Sequence, residues 1–193
     1  MLIDESELRH GHPLTARQVH SMLSHAASVD ERGTVAVKTA AGAMLRSDDP
    51  GFAAAPAQLV GRPTSLHEDT SGANHDDSDV LVINLASVRA LTKEYGSERD
   101  PMRFRPSIML DGPDAEPYSE LTWPGKRFSV GEVELEAVKM NERCVLTTID
   151  PQTYEEDPGF LRFMVQRHEG NFGVYCRVVK GGTVREGDLW QPL

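Results

Sequence analysis

The sequence has little cysteine, and its only two, Cys144 and Cys176, exclude several kinds of site. An iron–sulfur cluster usually needs four cysteine ligands, and a structural zinc site needs a similar set, so one chain can build neither. Two cysteines also make no disulfide scaffold. Because so few thiols are typical of a reducing compartment, we expect a cytoplasmic protein.

Long apolar runs and an excess of basic residues are missing as well. No run approaches the roughly 20 apolar residues that cross a bilayer. The N-terminus MLIDESELRHGHPL has neither the basic nor the apolar region of a secretory signal. The net charge is −10 over 193 residues, which disfavours nucleic acid and anionic membranes as partners. We therefore expect no membrane span and no nucleic-acid partner.

Short strand patterns dominate the chain. A helix is predicted from Thr15 to about Ser28, a hairpin follows in TVAVKT and MLRS, and a Pro-interrupted helix ends at Gly61. The polar stretch 67–79 is interpreted as a long loop. Strands are then predicted in VLVIN, RFRPSIML, VGEVELEAVKM, RCVLTTI and FGVYCRVVK, followed by a last short strand, with helices in ASVRALTKEY and PGFLRFMVQRH. These elements predict a strand-rich α+β fold with a barrel-like sheet.

Cys144 carries the strongest chemical signal, by elimination. The sequence has no G-x-G-x-x-G, Walker loop, G-x-S-x-G or H-E-x-x-H motif. The positive charge of the neighbouring Arg143 favours a thiolate. A thiolate can bind a soft or high-valent metal, carry sulfur as a persulfide, or act as a nucleophile. The alternative is a structural role at the start of a strand, and core packing is the preferred interpretation of Cys176.

Arginines are concentrated in RDPMRFRPS, although the chain as a whole is acidic. The strand predicted here would place Arg103 and Arg105 on one face, because they lie two residues apart. Guanidinium groups on one face suit a phosphate or another delocalised anion, and ion pairs with the abundant carboxylates are the alternative. Pro106 predicts an edge or bulge position, where a side chain can turn into a cleft.

Several segments together resemble the MOSC domain. They are RFRPSIMLDG, SVGEVELEAV, ERCVLTTIDPQT, NFGVY and VREGDLW, in this order, and DDSDVLVINLASVRAL fits the start of the domain. The MOSC domain forms the C-terminal part of molybdenum cofactor sulfurases and the core of the mitochondrial amidoxime-reducing component. The resemblance covers about residues 61–193 and implies a MOSC-type β-barrel core with a few short helices. Residues 1–60 are interpreted as a shortened N-terminal region made of a helix and a hairpin.

The resemblance also implies a molybdenum cofactor, molybdopterin, and the residues that bind it. The cysteine of R-C-x-x-T-T-x-D-P is the metal ligand in the amidoxime-reducing branch, so Cys144 is expected to be both metal ligand and catalytic residue. The expected cofactor contacts are Arg103, Arg105, Ser107, Arg143, Asp76 and Ser78. Ser107 departs from the family, which usually has Asn there, and a serine lacks the bidentate reach of an amide. A Y-P-V-K-S-like strand that begins the full-length relatives is not found.

The function that the resemblance implies is an oxidoreductase that reduces N-hydroxylated small molecules. The chain has no flavin, haem or iron–sulfur motif, so the electrons must come from a separate protein. Two alternatives stay open. One is a sulfur carrier or sulfurtransferase that uses a persulfide on Cys144, and the other is a non-catalytic cofactor-binding relative.

Overall fold

The computed structural model describes residues 2–4, 13–61, 63–66 and 78–193. The chain divides into two compact units, residues 1–74 and 75–193. The predicted strand-rich α+β fold is confirmed, and the largest sheet curls into half a barrel. Within the parts of the chain that the structure describes, none of the helices has the length and apolarity needed to span a bilayer.

The N-terminal unit contains two small antiparallel sheets. The first has the order β2-β1-β6 and the second the order β3-β4-β5. The strands are β1 (Leu2–Asp4), β2 (Pro13–Leu14), β3 (Ala26–Val29), β4 (Val35–Lys38), β5 (Met44–Arg46) and β6 (Thr64–Leu66). The predicted hairpin is confirmed as β4 and β5. The Pro-interrupted helix is also confirmed, as a 3-10 turn followed by α1 (Ala55–Val60), and it ends at Gly61 as predicted.

The helix predicted from Thr15 to Ser28 is wrong. A 3-10 helix spans only His20–Ser24, and the chain then continues into β3. The Oγ of Ser24 and the Nδ1 of His25 both contact the carbonyl oxygen of Ser21, at 2.7 and 2.8 Å. Such contacts between side chains and the backbone compete with continued helix. Pairing of β3 with β4 then fixes an extended backbone for the following residues.

The C-terminal unit is built on a six-stranded sheet. Its strands in spatial order are β12 (Trp190–Pro192), β9 (Arg127–Val130), β10 (Val133–Glu142), β11 (Asn171–Lys180), β7 (Val80–Asn84) and β8 (Ile108–Leu110). All neighbours are antiparallel except β7 and β8, which are parallel. A parallel pair needs a crossover, and α2 (Leu85–Tyr95) supplies its helix. The second helix of the unit, α3 (Pro158–His168), precedes β11.

Periodicity predicted most of these elements correctly. Strands β7, β10, β11 and β12 and helices α2 and α3 are confirmed. Val133, Leu135 and Ala137 are buried on one face of β10, as predicted. Asn84 caps α2 by accepting a hydrogen bond from the amide of Ala86 at 2.9 Å.

The core lies on both faces of the sheet. Leu81 and Ile83 of β7 join one buried cluster, while Val82, between them, joins another. The first cluster includes residues of α2 and α3 together with Phe104 and Phe172. The second is formed by apolar residues of β7, β9, β10 and β11, among them Cys176. Burial of Cys176 raises the pKa of its thiol to about 12, which agrees with the predicted packing role.

The predicted strand RFRPSIML is confirmed only in its last residues, as β8, and the predicted strand RCVLTTI is wrong, because turns of 3-10 helix begin the first and occupy the second. RFRPSIML begins in the 3-10 helix Pro101–Phe104, and its strand starts only at Ile108. Asp100 accepts a hydrogen bond from the amide of Met102 at 2.8 Å, and a proline at the first helical position favours the same turn. RCVLTTI forms the 3-10 helix Val145–Thr148.

Gly173 lets β11 approach β7 closely. Its φ is +78°, and a Cβ placed there would lie 2.9 Å from Cγ2 of Ile83 and 3.0 Å from the carbonyl oxygen of Val82. Both the left-handed conformation and the lack of space for a Cβ atom therefore favour glycine at this position of the NFGVY segment.

We predict that Gly173→Ala lowers the free energy of unfolding by about 1–3 kcal/mol, because the new methyl group strains the backbone and presses on β7. Urea denaturation of the purified protein measures the change. Gly181→Ala is the matched control, since a Cβ at Gly181 meets nothing within 4 Å. Equal stability of Gly173→Ala and wild type would contradict the close approach.

Candidate functional site

The site is formed where two turns meet, the 3-10 helix Pro101–Phe104 and the 3-10 helix Val145–Thr148. Strand β10 ends just before the second turn, and the amide of Arg143 donates a hydrogen bond to the carbonyl oxygen of Gly170 at 2.7 Å. Cys144 then adopts an extended conformation and begins the turn. Cys144 is half-buried, whereas Cys176 is fully buried in the core.

Arg143 holds the two turns together. Its Nε donates a hydrogen bond to Oγ1 of Thr147 at 3.2 Å, and its Nη2 donates one to the carbonyl oxygen of Phe104 at 2.9 Å. The guanidinium also lies over the ring of Phe104, 5.3 Å from its centre. The third nitrogen, Nη1, is buried and has no hydrogen-bond partner among the described residues.

The electrostatics of Arg143 mark the site as cationic. Burial lowers the pKa of Arg143 to about 10, and the nearby Arg105 lowers it further, while Cys144 and Tyr175 act in the opposite direction. The guanidinium is therefore still charged at neutral pH. A buried donor of a charged group without a partner is costly, and an anionic ligand would satisfy it.

Arg103 and Arg105 do not share a face, so this part of the sequence prediction is wrong. Arg103 is buried inside the 3-10 helix, whereas Arg105 ends it with a φ of 52° and is exposed. Arg103 donates hydrogen bonds to the carbonyl oxygen of Thr148 at 2.7 Å and to Oδ2 of Asp150 at 2.8 Å. The left-handed conformation turns the chain after Phe104, so the two guanidiniums separate. Arg103 therefore joins the turns, and Arg105 is available to a ligand.

The other predicted contacts lie along β7. The amide of Ser107 donates to the carbonyl oxygen of Leu81 at 2.8 Å, and its Oγ accepts from the amide of Leu81 at 3.2 Å. Ser78 donates a hydrogen bond to the carbonyl oxygen of Cys176 at 3.1 Å. Asp76 lies outside the described residues. The roles of these residues toward a cofactor stay predictions.

Sequence reasoning missed the residues that shape the turn after Cys144. Thr148 donates its hydroxyl hydrogen to the carbonyl oxygen of Val145 at 2.7 Å. Asp150 accepts hydrogen bonds from the amides of Gln152 and Thr153, both at 2.9 Å. The T-T-x-D-P run carried the signal, since Thr and Asp side chains favour turns by bonding to nearby backbone groups.

The comparison with known families identifies the class of protein. The MOSC domain matches residues 69–190, which is more than half of the chain. The chain therefore belongs to the MOSC domain family.

Curated relatives match parts of the chain. Molybdenum cofactor sulfurase of Caenorhabditis elegans is 36% identical over 115 residues, which are 57% of this chain and 16% of that protein. Mitochondrial amidoxime-reducing component 1 of Danio rerio is 37% identical over 86 residues, which are 45% of this chain and 25% of the relative. The chain thus matches a quarter or less of the length of these two proteins.

A solved structure shows a further similarity. The crystal structure of YiiM from Geobacillus stearothermophilus aligns with 61% of this chain and 55% of that chain. The TM-score is 0.48 and the sequence identity is 16%.

The residues at the two turns fit a molybdenum cofactor. No group of three or more His, Cys, Asp or Glu gathers among the described residues. A pterin with a phosphate is anionic, and Arg143, which directly precedes Cys144, has a buried N–H without a hydrogen-bond partner among the described residues. The exposed Arg105 lies close enough to influence the pKa of Arg143. A cysteine and two arginines are donors of the kind that such a group needs.

We predict that Asp150→Asn loosens the turn and lowers the free energy of unfolding by about 1–3 kcal/mol at pH 7. Hydrogen bonds from the amides of Thr153 and Gln152, together with Arg103, hold the pKa of Asp150 below its usual value. Because the pKa of Asp150 is lower in the folded than in the unfolded state, its charged carboxylate stabilises the folded protein above the unfolded pKa of about 4. This contribution disappears as the pH falls through the folded pKa.

Urea denaturation of wild type and Asp150→Asn across pH 3 to 7 tests this prediction. The difference between the two proteins should shrink toward acid pH. Asp114→Asn removes an exposed carboxylate of the same unit and should change stability little at any of these pH values. A loss in Asp150→Asn that does not depend on pH would contradict the role of the charged carboxylate.

Proposed function

We propose that this protein binds molybdenum cofactor through Cys144 and reduces N-hydroxylated small molecules with electrons from a separate protein. The observation that carries the proposal is the buried Nη1 of Arg143, which has no hydrogen-bond partner among the described residues. Arg143 directly precedes Cys144, which is half-buried. The Nε atoms of Arg99 and Arg103 are also buried without a hydrogen-bond partner in the described part of the chain, but Arg143 directly precedes Cys144 and interacts with it electrostatically. Membership in the MOSC family and the similarity to an amidoxime-reducing component support the same choice.

Each residue of the site has a distinct part in the proposal. Cys144 would ligate molybdenum as a thiolate, and Arg143 and Arg105 would hold the anionic pterin group. Ser107 retains a hydroxyl hydrogen that it can donate, because in the structure its oxygen accepts from Leu81. Arg103 acts on the protein side by fixing Thr148 and so the turn that begins at Cys144.

The bound cofactor would supply two-electron chemistry that removes oxygen from nitrogen. The balance of the reaction is an N–OH group, two electrons and two protons giving N–H and water. Since no flavin, haem or iron–sulfur motif occurs in the sequence, a redox protein must deliver the two electrons. The net charge of −10 favours a donor with a basic docking face.

A sulfur carrier is the second candidate function. One observation favours it: Arg103 uses both Nη atoms for protein contacts, so fewer groups are left for a pterin. The similarity to a molybdenum cofactor sulfurase points the same way. A persulfide on Cys144 beside Arg143 needs no cofactor. Mass spectrometry after incubation with a sulfur donor would detect one added sulfur atom on Cys144.

We predict that Cys144→Ser abolishes molybdenum retention and reduction of N-hydroxylated compounds, because serine is a poor ligand in place of a thiolate. Elemental analysis and pterin fluorescence on protein from a cofactor-producing host measure the loss. Cys176→Ser is the matched control. It removes the other thiol from the buried core and should keep the cofactor despite lower stability. Full molybdenum content and activity in Cys144→Ser would overturn the proposed ligand.

Arg105→Gln is predicted to reduce the retained molybdenum and pterin at least several-fold while the free energy of unfolding changes by less than about 0.5 kcal/mol. The reason is that Arg105 is exposed and would contact the cofactor rather than the core. Arg89→Gln serves as the control, since Arg89 is an exposed arginine of α2 whose guanidinium is paired with Asp111. Equal cofactor content in both variants would remove Arg105 from the site.

A further inference from the structure

The sheet β3-β4-β5 of the N-terminal unit presents a row of apolar side chains that the unit does not bury completely. Ala27 of β3, Val37 of β4 and Leu45 of β5 lie opposite one another in the strand register, so they share one face of the sheet. None of the three is fully buried. Because protein interiors leave few voids larger than a water molecule, an apolar row with space above it calls for an occupant.

A cavity of about 240 Å³ lies against this row. Apart from Ser21 and His25 its lining is apolar, and all of it belongs to residues 21–60 of the N-terminal unit. An apolar cavity of about 150 Å³ is large enough to bind benzene, so this cavity has room for one small ring system with a few further atoms. Besides the row, the lining includes Met22, His25, Phe52 and Val60.

His25 supplies the lining with a hydrogen-bond acceptor. Its Nδ1 lies 2.8 Å from the carbonyl oxygen of Ser21, and because a carbonyl oxygen only accepts, Nδ1 carries the ring hydrogen. The hydroxyl of Ser24, 3.3 Å from Nδ1, already donates to the same carbonyl oxygen. In the neutral ring Nε2 is therefore an acceptor. No hydrogen bond to Nε2 occurs among the described residues, so a ligand can donate one to it.

The lining favours a neutral aromatic occupant. The ring of Phe52 and the thioether of Met22 both line the cavity, and aromatic rings and sulfur atoms make favourable contacts with an aromatic ligand. No Asp, Glu, Lys or Arg lines the cavity, so a charged occupant would lose its hydration without gaining an oppositely charged partner.

We infer that this cavity binds a neutral aromatic molecule of one small ring system whose single O–H or N–H group donates a hydrogen bond to Nε2 of His25. The site is additional to the one at Cys144. The inference does not depend on the proposed function, because every lining residue belongs to the N-terminal unit, whereas Cys144 belongs to the C-terminal unit.

Methyl NMR of the full chain, titrated with p-cresol and with toluene, tests the inference in the wild-type protein. The two molecules differ only in the hydroxyl group. p-Cresol should shift the methyl resonances of Ala27, Val37 and Leu45 and bind at least about 3-fold more tightly than toluene, which is the effect of one ordinary hydrogen bond. The anion p-toluate should bind at least about 10-fold more weakly than p-cresol. Equal or tighter binding of toluene, or shifts that leave these three residues unchanged, would overturn the inference.

Two variants test the lining itself. Ala27→Phe should weaken p-cresol binding about 10-fold or more, because the new ring occupies the space of the ligand. Ala26→Phe is the matched control, since Ala26 is the neighbouring exposed residue of β3 and does not line the cavity. His25→Leu removes the acceptor and should abolish the preference for p-cresol over toluene, which a general loosening of the unit would not do. An unchanged preference in His25→Leu, or unchanged binding in Ala27→Phe, would overturn the site.

Discussion

The site depends on one buried cation, the guanidinium of Arg143. Taking a charge out of water is costly unless protein groups replace the lost hydration. Here the carbonyl oxygen of Phe104, the hydroxyl of Thr147 and the face of the Phe104 ring do so in part. These contacts join two turns that are far apart in the sequence. The remaining buried N–H belongs to the residue that directly precedes Cys144, and an anion would complete the set.

Arg103 reinforces the same junction from the other turn. Its contacts with Thr148 and Asp150 fix the segment after Cys144, while Arg143 fixes the segment before it. The half-buried Cys144 therefore lies between two segments whose positions these hydrogen bonds fix. This arrangement suits a side chain that must keep its position. It also explains why a chain with so many acidic residues concentrates arginines here.

Periodic patterns predicted β7, α2, β10, α3 and β11, because their burial repeats over five or more residues. The two turns escaped prediction because strand-forming residues occupy them, and the decisive signals are single capping contacts such as that of Asp100 with Met102. The pair Arg143 and Cys144 was visible as neighbours in the sequence. Their partners were not, since carbonyl oxygens such as those of Phe104 and Gly170 carry no residue signature and come from distant segments.

The central claim is that the thiol of Cys144 is bound to the metal of the cofactor. Alkylation by iodoacetamide, followed by peptide mass spectrometry, measures it directly in molybdenum-loaded protein. We expect Cys144 to be protected in proportion to the molybdenum content and to become reactive once the cofactor is removed. Complete alkylation of Cys144 while molybdenum and pterin stay bound would contradict ligation of the metal by this thiol.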